Sequence, residues 1–413
     1  MKIRIPEDVH LRSELFGGVG YVHHRNDFFF LDKPAFLFLG TLGRRWRLCS
    51  PKFEVAARRL AQLGLCETAE PTTLEMPACG PAFVGNFEDI PKVSLPLVLN
   101  CFCTTFCPLQ CRYCHADDLM KPFREGETEK SLDAVVRSAR LIDSMVAVIT
   151  GGDPLTRPER AIRLIEELAP TKPLVLDTSG VPNRRSDFHR LLPCLIRNRV
   201  HVRVSLDALR PDNDWLRPIN KKIVEDGSSA HDNAVFTIRE CLDAGIALTV
   251  QSVLTARNDI KDNLLDFAEM IYGLGVRNWV IHVVARAGKG RDAEKRGLFP
   301  AKGRDYRAML GKFPHFLESR MVPMDLRITD LTSIRHSVLL VGGQGDLFTE
   351  GWARLGKQRS YRSDEILPGI DLWKDVDPKA HVARYCNWID GLFPGRTLSS
   401  LTIQLPGIHE LPR

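Results

Sequence analysis

Three cysteines close together in the chain have the spacing of a metal-binding loop. Cys107, Cys111 and Cys114 form the pattern CxxxCxxC, and five of the eleven cysteines of this 413-residue chain fall between Cys101 and Cys114. Three thiolates in one loop can hold three irons of a [4Fe–4S] cluster. The fourth iron then has no protein ligand, so it can bind a small molecule and pass it an electron. The spacing therefore predicts one such cluster at this loop.

Zinc is the alternative occupant of the same loop. A structural zinc ion takes four Cys or His ligands, and His115, which directly follows Cys114, could supply the fourth. The odd number of cysteines argues against a disulfide framework. The ligand types alone leave both metals open, although the spacing favours the cluster.

Two further cysteines, Cys101 and Cys103, lie on or beside a predicted strand just before this loop. Small buried cysteines are common in protein cores, so we expect both to be core residues. A role at the substrate or as alternative ligands is the other interpretation. Beyond Cys241 only Cys386 remains in the chain. A second cysteine-ligated cluster therefore cannot be built from the C-terminal part.

The bulk composition narrows the class of protein. Hydrophobic residues make up 44% of the chain and charged residues 26%, which is typical of a folded globular protein. The net charge of +6 is spread along the chain without a long Lys/Arg run, which argues against a nucleic-acid partner. Residues 1–8 lack the apolar core of a signal peptide, and no apolar run approaches the roughly 18 residues of a membrane span. We therefore expect a cytoplasmic protein with no membrane partner.

Strand and helix patterns alternate from about residue 95 to residue 287. Repeated β-then-α units favour a parallel sheet that curls toward a barrel. Six units make a partial (β/α)6, TIM-like barrel rather than the full eight, so the predicted fold class is α/β. The strands are expected at residues 95–100, 146–150, 173–177, 200–206, 247–254 and 279–284, and the helices at 131–143, 157–168, 232–244 and 260–274.

Other segments flank the predicted barrel. Residues 1–80 combine a hairpin pattern with short helices, which predicts a small α+β, winged-helix-like module. The proline-containing residues 81–94 are typical of a linker. Residues 288–413 form a less regular C-terminal extension, with a strand–turn–strand pattern at 337–349.

The cysteine motif resembles that of the radical SAM (S-adenosylmethionine) superfamily, whose signature is CxxxCxΦC with an aromatic residue at Φ. Tyr113 fills the aromatic position, and the resemblance covers roughly residues 95–287. It implies that a [4Fe–4S] cluster on Cys107, Cys111 and Cys114 donates an electron to SAM, which yields methionine and a 5′-deoxyadenosyl radical. That radical removes a hydrogen atom from an unactivated substrate carbon, while the protein binds, orients and shields the reactants.

Further motifs follow the predicted strands in the order that the superfamily shows. Residues 150–155 resemble its GGEP-type loop, with Asp where Glu is usual, and residues 177–180 resemble its TNG-like turn. Residues 205–207 resemble its SLDG-type element. Ligands gather at the carboxyl ends of strands in such folds. Besides Tyr113, the resemblance implies SAM contacts at Gly151, Gly152, Asp153, Pro154, Thr178, Ser179, Ser205, Asp207 and Gln251.

Residues 11–68 resemble the PqqD-like module known as the RiPP recognition element, where RiPP denotes a ribosomally synthesised and post-translationally modified peptide. The matching features are the segment 16–21, the hairpin that contains it and the sequence Phe30-Leu31-Asp32. Such modules bind the leader of a precursor peptide by adding it as a strand beside the hairpin. The resemblance implies docking beside residues 18–23 and 27–32. A structural cap or a dimerisation domain is the alternative.

Together, the two resemblances imply a radical SAM maturase that modifies a ribosomally synthesised precursor peptide by crosslink formation or epimerisation. Cys386 could then donate the hydrogen atom that an epimerase requires, although burial among its aromatic neighbours is the other interpretation. Many relatives carry a C-terminal SPASM or twitch domain with auxiliary clusters. Residues 288–413 lack the cysteines for these and could be a cluster-less remnant. Such an enzyme takes its electron from a donor such as a flavodoxin or ferredoxin.

Two other functions stay open. The radical SAM domain could act on a small molecule or RNA, with residues 1–80 as a structural cap. If the loop binds zinc instead, the protein could be a peptide-binding scaffold without catalysis.

Overall fold

The structure is a computed structural model, and it divides into two compact units. The first contains the described residues of 1–94 and 402–406, and the second contains those of 95–361. The residues that the structure describes are 1–73, 82–87, 91, 93–117, 127–220, 224, 228–259, 261–284, 288–293, 295–298, 306–329, 338–345, 347–349, 360–361 and 402–406.

The first unit is built around a four-stranded sheet. Its strands are, in spatial order, β2 (Val9–Glu14), β3 (Gly17–Val22), β4 (Asp27–Asp32) and β7 (Ala82–Val84). The pairs β2–β3 and β3–β4 are antiparallel, whereas β7 lies parallel to β4. The predicted hairpin is formed by β3 and β4. The strand β2 is not predicted from the sequence, because its residues are mostly polar.

A smaller sheet and two helices complete this unit. The sheet has the order β5 (Arg47–Leu48), β1 (Lys2–Arg4) and β6 (Glu67–Thr68). The helices are α1 (Lys33–Leu42) and α2 (Glu54–Gln62), and their buried apolar side chains share one hydrophobic core with the strands. Burial of these faces stabilises the module, since each fully buried large side chain contributes roughly 1.5–3 kcal/mol.

The strand β7 comes from residues 81–94, which the sequence predicts to be a linker. The ring of Phe83 is stacked on that of Phe30, with centroids 5.3 Å apart. Phe16 and Phe87 lie against these two rings in one aromatic cluster. The cluster holds the segment on the sheet, and β4 is therefore an internal strand.

The second unit has an α/β fold with a mostly parallel sheet, as the sequence predicts. All six strands expected between residues 95 and 287 are present, and each is parallel to its neighbours. In spatial order they are β8 (Val98–Thr104), β9 (Val146–Gly151), β10 (Leu174–Thr178), β11 (His201–Ser205), β12 (Leu248–Leu254) and β13 (Asn278–Val283).

Two further parallel strands extend this sheet beyond residue 287. The strand β14 (Asp325–Thr329) pairs with β13, and β15 (Val338–Val341) pairs with β8 at the opposite edge. The eight parallel strands follow the spatial order of a TIM barrel, with no pairing between β14 and β15 in the described part of the chain. The antiparallel strands β16 (Leu347–Thr349) and β17 (Ser360–Tyr361) follow β15.

Helices alternate with these strands in the order expected of repeated βα units. The helix α5 is not predicted by the sequence, because Pro193 lies within it and proline usually breaks a helix. None of the helices in the described ranges is long and apolar enough to cross a membrane. The helices are α3 (Glu129–Leu141), α4 (Pro158–Leu168), α5 (Arg185–Arg197), α6 (Asp212–Leu216), α7 (Ala230–Asp243), α8 (Lys261–Gly273) and α9 (Tyr306–Ser319).

Candidate functional site

The predicted cluster ligands lie in one loop that begins after β8. Cys107, Cys111 and Cys114 are half-buried, and their thiols are close enough to influence one another's ionisation. Burial raises the pKa of all three thiols, and that of Cys111 to about 12. The thiols are therefore neutral unless a metal takes the place of their protons. The structure thus brings the three predicted ligands together.

The surroundings of these thiols fit an anionic metal centre. The guanidinium of Arg217 and the ammonium of Lys289 act against burial and lower the pKa of both Cys111 and Cys114. A cluster with three thiolate ligands is negatively charged, so two cations beside it are stabilising. Among the described residues, no three His, Cys, Asp or Glu side chains converge on a single-ion position. The donor set of three cysteines beside two cations is one that suits a [4Fe–4S] cluster, in which each thiolate binds a different iron.

Glu127 and Arg160 hold the start of the cluster loop. The Glu127 carboxylate accepts hydrogen bonds from the hydroxyls of Thr104 and Thr105, at 2.9 and 2.8 Å, and from the Thr105 backbone N–H. The Arg160 guanidinium donates to the carbonyl of Cys103 at 2.8 Å. Neither residue is predicted from the sequence, since they lie 22 and 57 residues from the groups that they bind.

The end of β9 and the loop that follows it approach the cluster loop so closely that Gly151 and Gly152 must be glycine. A Cβ atom on Gly152 would lie 2.0 Å from the Phe106 carbonyl oxygen, and one on Gly151 would lie 2.2 Å from that of Thr104. Gly151 also has a φ of +126°, a backbone angle that residues other than glycine rarely adopt. The N–H groups of Gly152 and Asp153 donate to the carbonyls of Thr104 and Phe106, both at 2.7 Å. The Gly-Gly-Asp motif therefore supports the cluster loop.

Asp153 joins this loop to the end of β10. Its side chain is fully buried, and its carboxylate accepts hydrogen bonds from Leu155 N, the Thr178 hydroxyl, and both the N–H and hydroxyl of Ser179. Three of these bonds are 2.8 to 2.9 Å long. Burial raises the pKa of Asp153, and the hydrogen bonds act in the opposite direction. Three residues of the predicted SAM site are thus bonded to one another.

A segment without a recognised motif runs beside the cluster loop. Residues 216–220 lie antiparallel to residues 108–112, with a bridge between Leu109 and Ile219. The backbone bonds are Gln110 N to Pro218 O (2.8 Å), Arg112 N to Leu216 O (3.0 Å) and Asn220 N to Pro108 O (2.7 Å). We call these two stretches the cluster ribbon. It provides partners for a loop that has no regular secondary structure of its own.

Tyr113, Asp207 and Arg217 form a buried polar cluster behind the loop. The Tyr113 hydroxyl donates to Asp207 Oδ2, and the Arg217 guanidinium donates to both carboxylate oxygens, at 2.9 and 3.0 Å. Val253 N donates to Asp207 Oδ1 at 2.9 Å. Asp207 has no exposed surface. Both of its oxygens are therefore already bonded, and the residue positions the cluster loop.

Ser205 and Gln251 are paired in register on β11 and β12, and Gln251 Nε2 donates to Ser205 Oγ at 3.0 Å. Both side chains are half-buried. Together with the loop after β9 and the end of β10, they lie toward the carboxyl ends of adjacent strands, where ligands bind in such folds. The contact of these residues, and of Pro154, with SAM stays a prediction.

Polar side chains also line the inner face of the sheet. Register places Asp177, Arg203 and His282 on the same face as Gln251. Asp177 and Arg203 form a two-point ion pair. Burial, aided by the charge of Arg203, lowers the pKa of His282 to about 3, so the imidazole is neutral. Its Nδ1 has no hydrogen-bond partner among the described residues.

Cys101 and Cys103 point away from this inner face. Phe102, which lies between them, packs with Cys114 on the inner side, so its neighbours face the helices. Both cysteines are fully buried, and burial raises the pKa of both thiols, that of Cys101 to about 12. Their environment is that of core residues. Cys386 lies outside the described residues.

The profile of the Radical SAM superfamily matches residues 102–271, which contain the three loop cysteines and the strand-end motifs. This part of the chain is a radical SAM domain. The protein is therefore an enzyme, and the cofactors of this domain are a [4Fe–4S] cluster and SAM. Cys107, Cys111 and Cys114 would hold the cluster, which supplies an electron to SAM when bound.

Solved structures share the fold at low sequence identity. SuiB from Streptococcus suis bound to its precursor peptide SuiA matches with a TM-score of 0.57 and 15% identity, covering 92% of this chain and 90% of SuiB. SuiB bound to S-adenosylmethionine matches with a TM-score of 0.57 and 13% identity, covering 88% and 87%. Native anSMEcpe with bound AdoMet matches with a TM-score of 0.50 and 13% identity, covering 76% and 94%. No curated protein matches this sequence.

Replacing the three loop cysteines should remove the cluster. We expect a Cys107→Ala/Cys111→Ala/Cys114→Ala variant to lose its brown colour and the roughly four irons per chain of a [4Fe–4S] cluster. Iron and sulfide analysis of anaerobically purified protein measures this. The control is Cys101→Ala/Cys103→Ala, which changes the cysteines that face the helices. Equal iron loss in both variants, or one zinc per native chain, would contradict the assignment.

Asp153→Asn should destabilise the second unit. An amide nitrogen cannot accept hydrogen bonds, so the variant leaves buried donors of Leu155 or Ser179 unpaired. We expect the free energy of unfolding to fall by about 1–3 kcal/mol, which a lower midpoint in urea would show. Ser179→Ala keeps the carboxylate and should lose less. An Asp153→Asn variant as stable as the native protein would refute this role.

Proposed function

We propose that this protein modifies a ribosomally synthesised precursor peptide by radical chemistry. A 5′-deoxyadenosyl radical would remove a hydrogen atom from the core of the peptide, which leads to a crosslink or to inversion of a Cα centre. A flavodoxin or ferredoxin would supply the electron. The leader would dock on the first unit, and the core would enter the barrel of the second.

The observation that carries this proposal is a fold shared with a peptide-bound enzyme over nearly the whole chain. The match to SuiB bound to SuiA covers 92% of this chain, whereas the radical SAM match covers residues 102–271. The likeness therefore extends well beyond the radical SAM domain and includes most of the first unit. Since SuiB binds a precursor peptide, a precursor peptide is the partner that we propose here.

The four-stranded sheet of the first unit has one edge strand, β2, with no pairing partner on its outer side among the described residues. The strand β3 lies between β2 and β4, and β4 is flanked by β7, so neither of the expected docking strands, 18–23 and 27–32, has a free edge. The strand β7 is itself bridged through Val84 to Ile403. The other edge of the sheet is β2. We therefore place the leader beside β2 rather than beside the hairpin.

The alternation of hydrogen bonds along β2 determines which backbone groups point outward. Asp8 O accepts a hydrogen bond from His23 N at 2.9 Å, so the backbone carbonyl of residue 8 points toward the chain that continues from β3. Positions 9, 11 and 13 then point their N–H and C=O groups away from β3. Leu11 and Ser13 have no partner for these groups within the described ranges. They are available to the backbone of an extended peptide.

The inner face of the second unit offers hydrogen bonds to a peptide core. The neutral imidazole of His282 can donate one hydrogen bond and accept another, and its Nδ1 has no partner among the described residues. The ion pair of Asp177 and Arg203 lies on the same face. These groups suit the amide and carbonyl groups of a peptide chain.

The proposal is tested with the short peptides encoded by the open reading frames beside this gene. Each synthetic peptide is incubated anaerobically with the reconstituted protein, SAM and a reductant. We expect 5′-deoxyadenosine together with either a change in peptide mass or, in D2O, incorporation of deuterium. The variant without the three loop cysteines is the control. If no peptide yields any of these products above the control, the proposed function is wrong.

Leu11→Pro should weaken leader binding. Proline removes the outward N–H of Leu11 without removing a bond to β3, and edge strands tolerate it. Loss of one backbone hydrogen bond, worth roughly 0.5–1.5 kcal/mol, predicts a rise in the dissociation constant of up to about tenfold. Fluorescence anisotropy with a labelled leader measures this. Leu11→Ala is the matched control, because it loses the side chain and keeps the N–H. Equal binding by the two variants would exclude docking at β2.

A further inference from the structure

Arg217 lies in the middle of the cluster ribbon. Its neighbours Leu216 and Pro218 accept backbone hydrogen bonds from Arg112 and Gln110 of the cluster loop. The residue is only 7% exposed. A buried guanidinium is costly unless it is paired, so its partners determine where it points.

The Arg217 guanidinium is bonded at both ends. Its Nε and Nη2 donate to Asp207 at 2.9 and 3.0 Å, and its Nη1 lies 4.0 Å from the sulfur of Cys111. The central carbon lies 5.5 Å from the centre of the Tyr113 ring. Because a two-point ion pair fixes the plane of a guanidinium, the remaining N–H groups cannot turn away from the sulfur.

Asp207 is held independently of Arg217. Its Oδ1 accepts a hydrogen bond from Val253 N at 2.9 Å, and its own N–H donates to Asn213 Oδ1 at 3.0 Å. The Tyr113 hydroxyl donates to Oδ2. The carboxylate is therefore a rigid support for the guanidinium.

A second cation near the thiols is held differently. The ammonium of Lys289 lies 3.5 Å from the carboxylate of Asp117, and its backbone N–H donates to the Cys114 carbonyl at 2.9 Å. Its charge acts on the thiols from a distance. Arg217, in contrast, directs an N–H group at a ligand sulfur.

We propose that Arg217 is a positioning residue that sets the reduction potential of the cluster through the sulfur of Cys111. A directed N–H stabilises the reduced cluster more than the oxidised one, because the reduced form carries one more negative charge. Asp207 offsets much of the positive charge of Arg217, so the directed N–H carries most of the effect. Arg217 thus favours electron entry into the cluster without contacting the substrate.

The test is the midpoint potential of the SAM-free cluster, followed by EPR during a redox titration of the full-length protein. Arg217→Lys keeps a charge and loses the two-point pairing, so we expect a moderate shift to a more negative potential. Arg217→Met/Asp207→Asn removes the pair together and leaves no unpaired buried carboxylate. We expect a larger negative shift in this variant.

The control is Arg257→Met. Arg257 also pairs with an aspartate, Asp212, at 2.6 Å and lies over an aromatic ring, that of Trp215. It is half exposed, and no contact with a loop thiol is found for it among the described residues. We expect its midpoint potential to equal that of the native protein.

Three results would overturn the proposal. The first is an unchanged potential in the double variant at full iron content. The second is loss of iron from both Arg217 variants while circular dichroism shows a native fold, since Arg217 would then build the loop rather than tune the cluster. The third is an equal shift in Arg257→Met. The measurement needs neither peptide nor turnover, so its outcome is independent of the proposed peptide substrate.

Discussion

The cluster loop has no helix or strand of its own, and its backbone groups must therefore be paired by other segments. The loop after β9 donates N–H groups to the carbonyls of Thr104 and Phe106, and the cluster ribbon pairs residues 108–112 with 216–220. Lys289 N donates to the Cys114 carbonyl from a third segment. Each of these segments lies in the connection that leaves the carboxyl end of a strand of the parallel sheet. A parallel sheet aligns its carboxyl ends at one edge, and this alignment makes a three-cysteine loop possible there.

Two buried aspartates connect this backbone scaffold to the strand ends. Asp153 bonds the loop after β9 to Thr178 and Ser179, and Asp207 bonds Tyr113 of the cluster loop to β12. Leaving a buried carboxylate without its partners costs several kcal/mol. All donors must therefore be in place together, which couples the positions of the predicted SAM-site residues to that of the cluster loop.

The sequence predicted those features that depend on neighbouring residues. The six strands of the barrel, the three cysteines and the Gly-Gly-Asp motif are local patterns, and the α/β fold is confirmed. The role of Arg217 could not be predicted in this way. It lies 106 residues from Cys111 in the sequence, and a single polar residue forms no periodic pattern. The pattern at 337–349 also predicts β15 and β16, which are present as an antiparallel pair. The pairing of β15 with β8, and of β14 with β13, depends instead on the register of the whole sheet.

The same non-local effect decides how a peptide can meet the first unit. The hairpin pattern alone places β4 at the edge of the sheet, but residues 82–84 fill that edge and bury Phe83 to 2% exposure. Displacing this strand would return a phenylalanine side chain to water, at a cost of roughly 1.5–3 kcal/mol. A new backbone hydrogen bond contributes only about 0.5–1.5 kcal/mol, and those between β4 and β7 would be lost in exchange. A peptide that pairs with Leu11 and Ser13 of β2 displaces no strand among the described residues, so its hydrogen bonds to these two residues contribute to binding.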